Sequence, residues 1–170
     1  RPLEKGDENQ FRDLHTVIPE REQLFIRSEI RDGSLFRKWL EDPEFEQFLP
    51  LGAFLDGRLG AIGVLELRMG GWKRHIGKVY VLTHPEYRGQ GMIQQLIAEI
   101  VTSASDWGLR FLESELNGER VSAIEALGMA GFEELLRVDN YIQDMQAESH
   151  DYVLMSMRLQ PSLEYISAGD

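Results

Sequence analysis

Cysteine is absent from the 170-residue chain. Disulfides, thiolate metal centres and a cysteine nucleophile are therefore excluded, and so is any hint of an oxidising compartment. No run approaches the roughly 18 consecutive apolar residues of a membrane span, and the first residues lack the basic, apolar and small-residue order of a secretory signal. No membrane partner is expected, and the cytoplasm is the default address. Positive charge is also scarce: 18 Lys and Arg face 29 Asp and Glu, for a net charge of −11. Polyanions are gripped mainly through Lys and Arg on phosphates, so no nucleic-acid partner is expected. The Gly-x-Ser-x-Gly nucleophile elbow is missing, and His75, His84 and His150 have no metal-ligand spacing. No metal is expected.

What remains is a chain with 42% apolar residues, enough for one real core. A single domain is expected over residues 1–160, with a loosely held tail over 161–170. Residues 1–49 read as helical, with Asp7 as a candidate N-cap, apolar positions at Phe11, Leu14, Val17, Leu24, Phe25 and Ile30, and a tighter stripe at Leu35, Phe36, Trp39 and Leu40 ended by Asp42-Pro43. Leu49 to Leu55 and Arg58 to Arg68 form a hairpin across Asp56-Gly57, a dipeptide suited to the positive φ angles of tight turns. A third strand follows over Ile76 to Thr83. Met92 to Asp106 is the clearest helix, with apolar residues at helical spacing and Gly108 placed to end it. Then come a strand at Phe111 to Leu116, a short helix near Val121 to Leu127, a strand opening at Gly131-Phe132 and running to about Val138, and final strands at Tyr141 to Met145 and Asp151 to Leu159. The order predicts an α+β, or mixed α/β, sheet with at least one crossover.

The chemistry lies where the third strand runs into the clearest helix: Val79-Tyr80-Val81-Leu82-Thr83-His84-Pro85-Glu86-Tyr87-Arg88-Gly89-Gln90-Gly91-Met92-Ile93. Glycines let main-chain N–H groups approach a ligand, and the first helical turn leaves unpaired donors at the positive end of the helix dipole. A pyrophosphate suits such a seat. Arg88 is the only Lys or Arg between Val79 and Leu109, so main-chain donors would carry most of the binding. Arg-Gly-Gln-Gly by itself is also a common surface turn; the strand before it and the helix after it set this one apart.

With these residues the sequence resembles the GNAT superfamily of acetyl-CoA-dependent N-acetyltransferases. The family loop, Arg or Gln, two free residues, Gly, one free residue, then Gly or Ala, reads here Arg88, Gly89, Gln90, Gly91, Met92, Ile93, and agrees at Arg88 and Gly91. His84-Pro85-Glu86-Tyr87 resembles the usual lead-in, Ala123-Ile124 and Gly131-Phe132 keep the usual separation, and Arg1-Pro2-Leu3 with Asp7 resembles the end of the first strand and start of the first helix. The resemblance implies a GNAT-like domain with a central, mostly antiparallel, splayed sheet flanked by helices. It also implies that the amides of Arg88, Gly89, Gln90, Gly91, Met92 and Ile93 hold the pyrophosphate of acetyl-CoA, and that Val81, Leu82 and Thr83 offer main-chain groups to the pantetheine arm. The implied reaction is direct attack of an acceptor amine on the thioester, and a homodimer is left open.

Four positions depart from the family pattern. Ile93 stands where Gly or Ala is usual. Leu127 replaces a frequent tyrosine general acid, and Arg120 a frequent asparagine. Gly77 stands where several relatives have a basic carboxylate. Proton-transfer candidates are therefore Glu115, Glu66 and Tyr80, with Glu113 behind them; the glutamates alternate with leucines or serine on strands, a pattern also shown by merely solvated carboxylates. Among the remaining candidates, His84, Tyr141 and His150 lie near strand ends, His150-Asp151 reads as a structural pair, and Lys73-Arg74-His75 reads as a solvated turn or a weak contact to the outer phosphate of CoA. The acceptor is an unknown amine. An inactive CoA-binding module of the same fold, and a domain in which the loop is only a turn, are the alternatives.

Overall fold

The computed structural model describes residues 1–23, 33–42 and 44–160. A single sheet of six strands forms its centre, in the order β1-β2-β3-β4-β6-β5. The strands are β1 (Phe48–Leu55), β2 (Arg58–Glu66), β3 (Ile76–Thr83), β4 (Phe111–Asn117), β5 (Glu133–Gln143) and β6 (Ser149–Arg158). All neighbours are antiparallel except β3 and β4. The helices are α1 (Glu8–Thr16), α2 (Glu20–Gln23), α3 (Ser34–Leu40), α4 (Met92–Asp106) and α5 (Val121–Met129). The result is the expected mixed α+β domain with a mostly antiparallel sheet. Helix α4 makes the crossover between the two parallel strands, which no tight turn could join.

Each face of the sheet closes a separate core. Val79 and Val81 of β3 pack with Leu96, Ile97 and Ile100 of α4 and with Leu127 of α5. Leu82, on the opposite face, packs with Phe11, Leu14, Phe36 and Trp39 from the N-terminal helices. This is the two-residue period of a strand buried on both sides. The Asp56-Gly57 turn has φ of 50° and 78°, as the hairpin requires.

Several expectations need correction. Asp7 stands at the N-cap of α1 but makes no side-chain cap bond there. Its carboxylate instead accepts from the Glu4 amide at 2.8 Å and from the Arg1 guanidinium at 2.8 and 2.9 Å, which hold its pKa below the ordinary value. The first residues are not helical: Leu3 N–H donates to Pro50 O at 2.9 Å, and Pro2 bridges Leu51. The stretch 133–143 is one strand, not two, because register shifts between Glu134 and Leu136 and between Val138 and Ile142 absorb the irregular pattern. Leu24, Phe25, Ile30, Pro43 and the tail 161–170 lie outside the described residues.

Candidate active site

The site begins where the parallel pair fails. β3 and β4 are in register only from Ile76 with Phe111 to Lys78 with Glu113. Beyond that, side chains reach across the widening gap: Ser114 Oγ donates to Val79 O at 2.9 Å, and Arg120 Nη2 donates to Val81 O at 3.0 Å. These bonds fix which way β3 points. Val79 and Val81 turn their carbonyls toward the gap, while the His84 amide turns the other way, to Gly60 O at 2.8 Å. By strand alternation Val81 and Thr83 direct main-chain groups into the opening and Leu82 directs its own toward β2. Of the three residues implied for the pantetheine arm, only Val81 and Thr83 have that orientation; Leu82 contributes its side chain.

The glycine loop lies at the end of β3. Gly89 and Gly91 have φ of 76° and 79°, a region where other residues are strained, and an added Cβ at Gly89 would meet nothing within 4 Å. Gly91 caps α4 without a side-chain bond, so the first-turn amides stay open. Not every amide of the loop is available. Arg88 N–H is turned to Pro85 O at 3.4 Å and Gln90 N–H to Tyr87 O at 3.3 Å, whereas the amides of Gly89, Gly91, Met92 and Ile93 are open among the described residues. Ile93 resolves its own departure, since its side chain is buried in the α4 core while its residue lines the cavity beside the loop.

Two cavities meet at the gap. One, of about 510 Å³, is bordered by Val81, Thr83, Arg88, Gly89, Gly91, Met92 and Ile93, with Ser122 and Ala123 of α5 opposite. The other, of about 360 Å³, is lined by Glu66, Tyr80 and Glu115 together with Lys78, Asn117, Trp39 and Phe48. Glu22, Leu82 and Arg120 line both. A long ligand entering along the loop would thus have its far end delivered to a chamber that holds carboxylates.

The family model described as "Acetyltransferase (GNAT) family" matches residues 10–132. The chain belongs to the GNAT acetyltransferase family. The GNAT fold extends over nearly the whole chain. A ribosomal-protein-alanine N-acetyltransferase from Brucella melitensis aligns with TM-score 0.75 at 21% identity, covering 94% of this chain and 98% of its own. An N-acetyltransferase from Staphylococcus aureus gives 0.76 at 13% identity, covering 94% and 97%. A GCN5-related N-acetyltransferase from Kribbella flavida gives 0.75 at 17%, covering 94% and 96%. No curated protein sequence matches the chain.

Within this GNAT domain the three proton-transfer candidates gather in one cavity but differ in state. Glu115 Oε2 accepts from Lys78 Nζ at 2.7 Å. Burial acts to raise its pKa, yet Lys78 and the Tyr152 hydroxyl outweigh it and hold the carboxyl below the ordinary value. Such a carboxylate is a weakened base. Glu66 is exposed at the cavity edge with no ion pair among the described residues. Tyr80 is half-buried; burial pushes its hydroxyl pKa up, against the opposing charge of Arg120. Glu113 is spent on Arg68 at 3.3 Å.

Other candidates are elsewhere. Leu127 is fully buried in the core, and a Cβ at Gly77 would strike Leu65 at 2.5 Å, so neither position opens onto the gap. His150 does not pair with Asp151. It is held by Asp144 at 3.0 Å and Glu119 at 3.3 Å, whereas Asp151 lies 3.5 Å from Arg137. His84 accepts from the Glu86 amide at 3.2 Å and lines a different depression, and Tyr141 is exposed. Lys73-Arg74-His75 precedes β3, at the other end of the strand from the glycine loop and roughly 25 Å of strand from Thr83.

Sequence reasoning missed Glu22, Lys78, Asn117 and Tyr152. Lys78 shares the two-residue period of Tyr80 and was findable that way; the others are brought in by pairings no local pattern encodes. Asn117 is buried, with Oδ1 accepting from the Glu119 amide at 2.9 Å and Nδ2 without a partner among the described residues. Among the described residues no group of three or more His, Asp or Glu is arranged for a metal ion, and no helix is long and apolar enough to cross a membrane.

Proposed function

We propose that this GNAT protein moves the acetyl group of acetyl-CoA to a primary amine of a small molecule, peptide or protein by direct transfer. The observation that carries the reading is the gap beyond Lys78 and Glu113, which joins a cavity walled by open loop amides to one walled by carboxylates. The residues fit the cosubstrate: four amides without a partner among the described residues belong to residues that border one cavity at a helix start, a setting suited to a diphosphate. When bound, acetyl-CoA supplies an activated thioester carbonyl.

The chain's own residues would do the rest. Val81 and Thr83 would orient the arm through main-chain bonds, and the open N–H of Val81 lies where an oxyanion could be steadied. Glu66 would take the proton from the acceptor amine, directly or through water, because it is the carboxylate of the chamber not already neutralised by a cation. Glu115 would anchor Lys78 and Tyr152. The acidic lining and the net charge of −11 favour a cationic or neutral acceptor over an anionic one. A peptide amine is supported by the Brucella melitensis neighbour, whose name specifies an alanine of a ribosomal protein.

Acetyl-CoA should raise the unfolding temperature, and free thiol should then appear with at least one amine from a panel of polyamines, amino acids and N-terminal peptides. A thermal shift with a flat thiol signal across the panel would favour the second reading, a CoA-binding module. That reading draws on Leu127, which has no proton to give, and on Arg120, which already occupies Val81 O. No shift at all would remove both.

A further inference from the structure

We propose that Arg120 is a catalytic residue, its guanidinium neutralising the charge that builds on sulfur as the acetyl group departs; this rests on the acetyl-transfer reading above. Three residues line both cavities, and they are not equivalent. Leu82 is apolar. Glu22 is bound to Arg88 through two bonds of 2.9 Å. Arg120 is the cation of the three, and among the described residues it spends a single side-chain donor, on Val81 O at 3.0 Å. The rest of its fork has no partner among the described residues.

Its main chain is fixed. Arg120 N–H donates to Asn117 O at 3.0 Å, and Arg120 O accepts from Ala123 and Ile124 at 3.1 and 3.0 Å in the first turn of α5. The guanidinium is held at the gap before any ligand arrives, by its bond to Val81 O and by the fixed helix start from which it extends, which is the condition for electrostatic stabilisation without reorganisation. Among the described residues no hydroxyl side chain lines both cavities: Thr83, Tyr87 and Ser122 border only the one beside the loop. Leu127 is in the core, and Tyr80 lines the acceptor chamber but not the cofactor cavity. Arginine does not release a proton in this range, so its contribution is charge alone.

The step balances without an acid. The amine nitrogen forms a bond to the thioester carbon, the carbonyl pair moves to oxygen and returns, and the carbon–sulfur bond breaks with its electron pair on sulfur. The proton lost by the amine goes to the acceptor-side carboxylate and then to water. The thiolate leaves beside the Arg120 guanidinium and is protonated by solvent after release.

The test uses coenzyme A itself as probe, so no acceptor is needed. The thiol of CoA bound to the wild-type protein is titrated by thiolate absorbance and by the pH dependence of its alkylation, beside free CoA and the variants R120Q and R120K. Expected is a bound thiol that ionises at least about one pH unit below free CoA, a tenfold change in its acid constant, with R120Q returning it to the free value and R120K keeping part of the shift. CoA should stabilise all three proteins. A thiol that titrates alike in wild type and R120Q overturns the proposal, as does loss of CoA binding in R120Q, which would assign the guanidinium to the grip on the cofactor. A wild-type bound thiol that behaves as free CoA overturns it whether or not the variants fold. Absence of any CoA stabilisation of the wild type would instead sink the reading on which it rests.

Discussion

Arg88 and Glu22 are 66 positions apart and meet through two parallel bonds of 2.9 Å. The arginine of the glycine loop is thereby turned onto α2, while the neighbouring Arg21 reaches Glu119, after β4, at 3.0 Å. Two consecutive residues thus tie a short helix to both sides of the gap. Glu22 also places a carboxylate at the border of the cavity where phosphates would bind. Replacing it with glutamine should tighten CoA binding by about three- to tenfold at low salt, since a repelling charge is lost and the Arg88 charge is freed. The gain should fade by about 1 M salt, where the screening length is about 3 Å. Isothermal titration at two ionic strengths would check this; weaker binding at low salt would mean the pair holds the loop open.

The loop itself makes a sharper prediction. Gly91→Glu adds a side chain where φ is 79° and a negative charge beside the open amides. The wild type at a hundredfold excess of acetyl-CoA over its dissociation constant should gain about 2.7 kcal/mol of stability. The variant should fold and show none of it by thermal shift.

Glu66→Gln and Glu115→Gln separate the two carboxylates of the chamber. Glu66→Gln should lower kcat by about a hundredfold, the lower range for a general base, with acetyl-CoA binding unchanged. Glu115→Gln should cost less, because Lys78 already neutralises that carboxylate. The reverse order in steady-state kinetics would assign the base to Glu115 instead.

Restoring the family tyrosine should not help. Leu127 has no exposed surface, so Leu127→Tyr forces extra volume and a hydroxyl into a packed core. Chemical denaturation should show a loss of about 1–3 kcal/mol, and turnover should not rise.

Two histidines make opposite contributions to pH stability. His15 is buried, with its Nδ1 on Phe11 O at 2.8 Å; burial lowers its pKa against that bond, so the folded state prefers it neutral. Its contribution is present above the unfolded value of about 6.5 and is lost as pH falls through the lower folded value. His150 has its pKa raised by the Asp144 bond, then by Glu119. Its contribution is full below about 6.5 and is lost as pH rises through the higher folded value. Unfolding midpoints from pH 5 to 9 should lose the acid limb in His15→Leu and the alkaline limb in His150→Gln. Unchanged limbs would show that other groups set them.

Much of the domain was legible because its signals are local. The limits of β3 and α4 follow directly from β-branched alternation, helical spacing and the glycines between them, and the loop proposed to hold phosphate lies at their junction. Irregular pairing was not legible: β5 carries register shifts that break its period, so it reads as two strands. Nor was the chemistry of the carboxylates. Glu66, Glu113 and Glu115 share one alternating pattern, yet the first has no ion pair among the described residues, the second is held by Arg68 and the third by Lys78. A strand's period assigns a face, while the neighbour on that face comes from another strand.

The order of residues by itself determined the element types, the two-sided burial of β3 and the loop of open amides, since these depend on dihedral preference and hydrophobic spacing over a few residues. Tertiary structure alone decided where β3 and β4 part, which loop amides stay open, that Arg88 turns to Glu22, and that Arg120 occupies the junction of two cavities. Those outcomes depend on distances between segments far apart in the chain, and a pairing of charges across 66 residues leaves no periodic trace in the sequence.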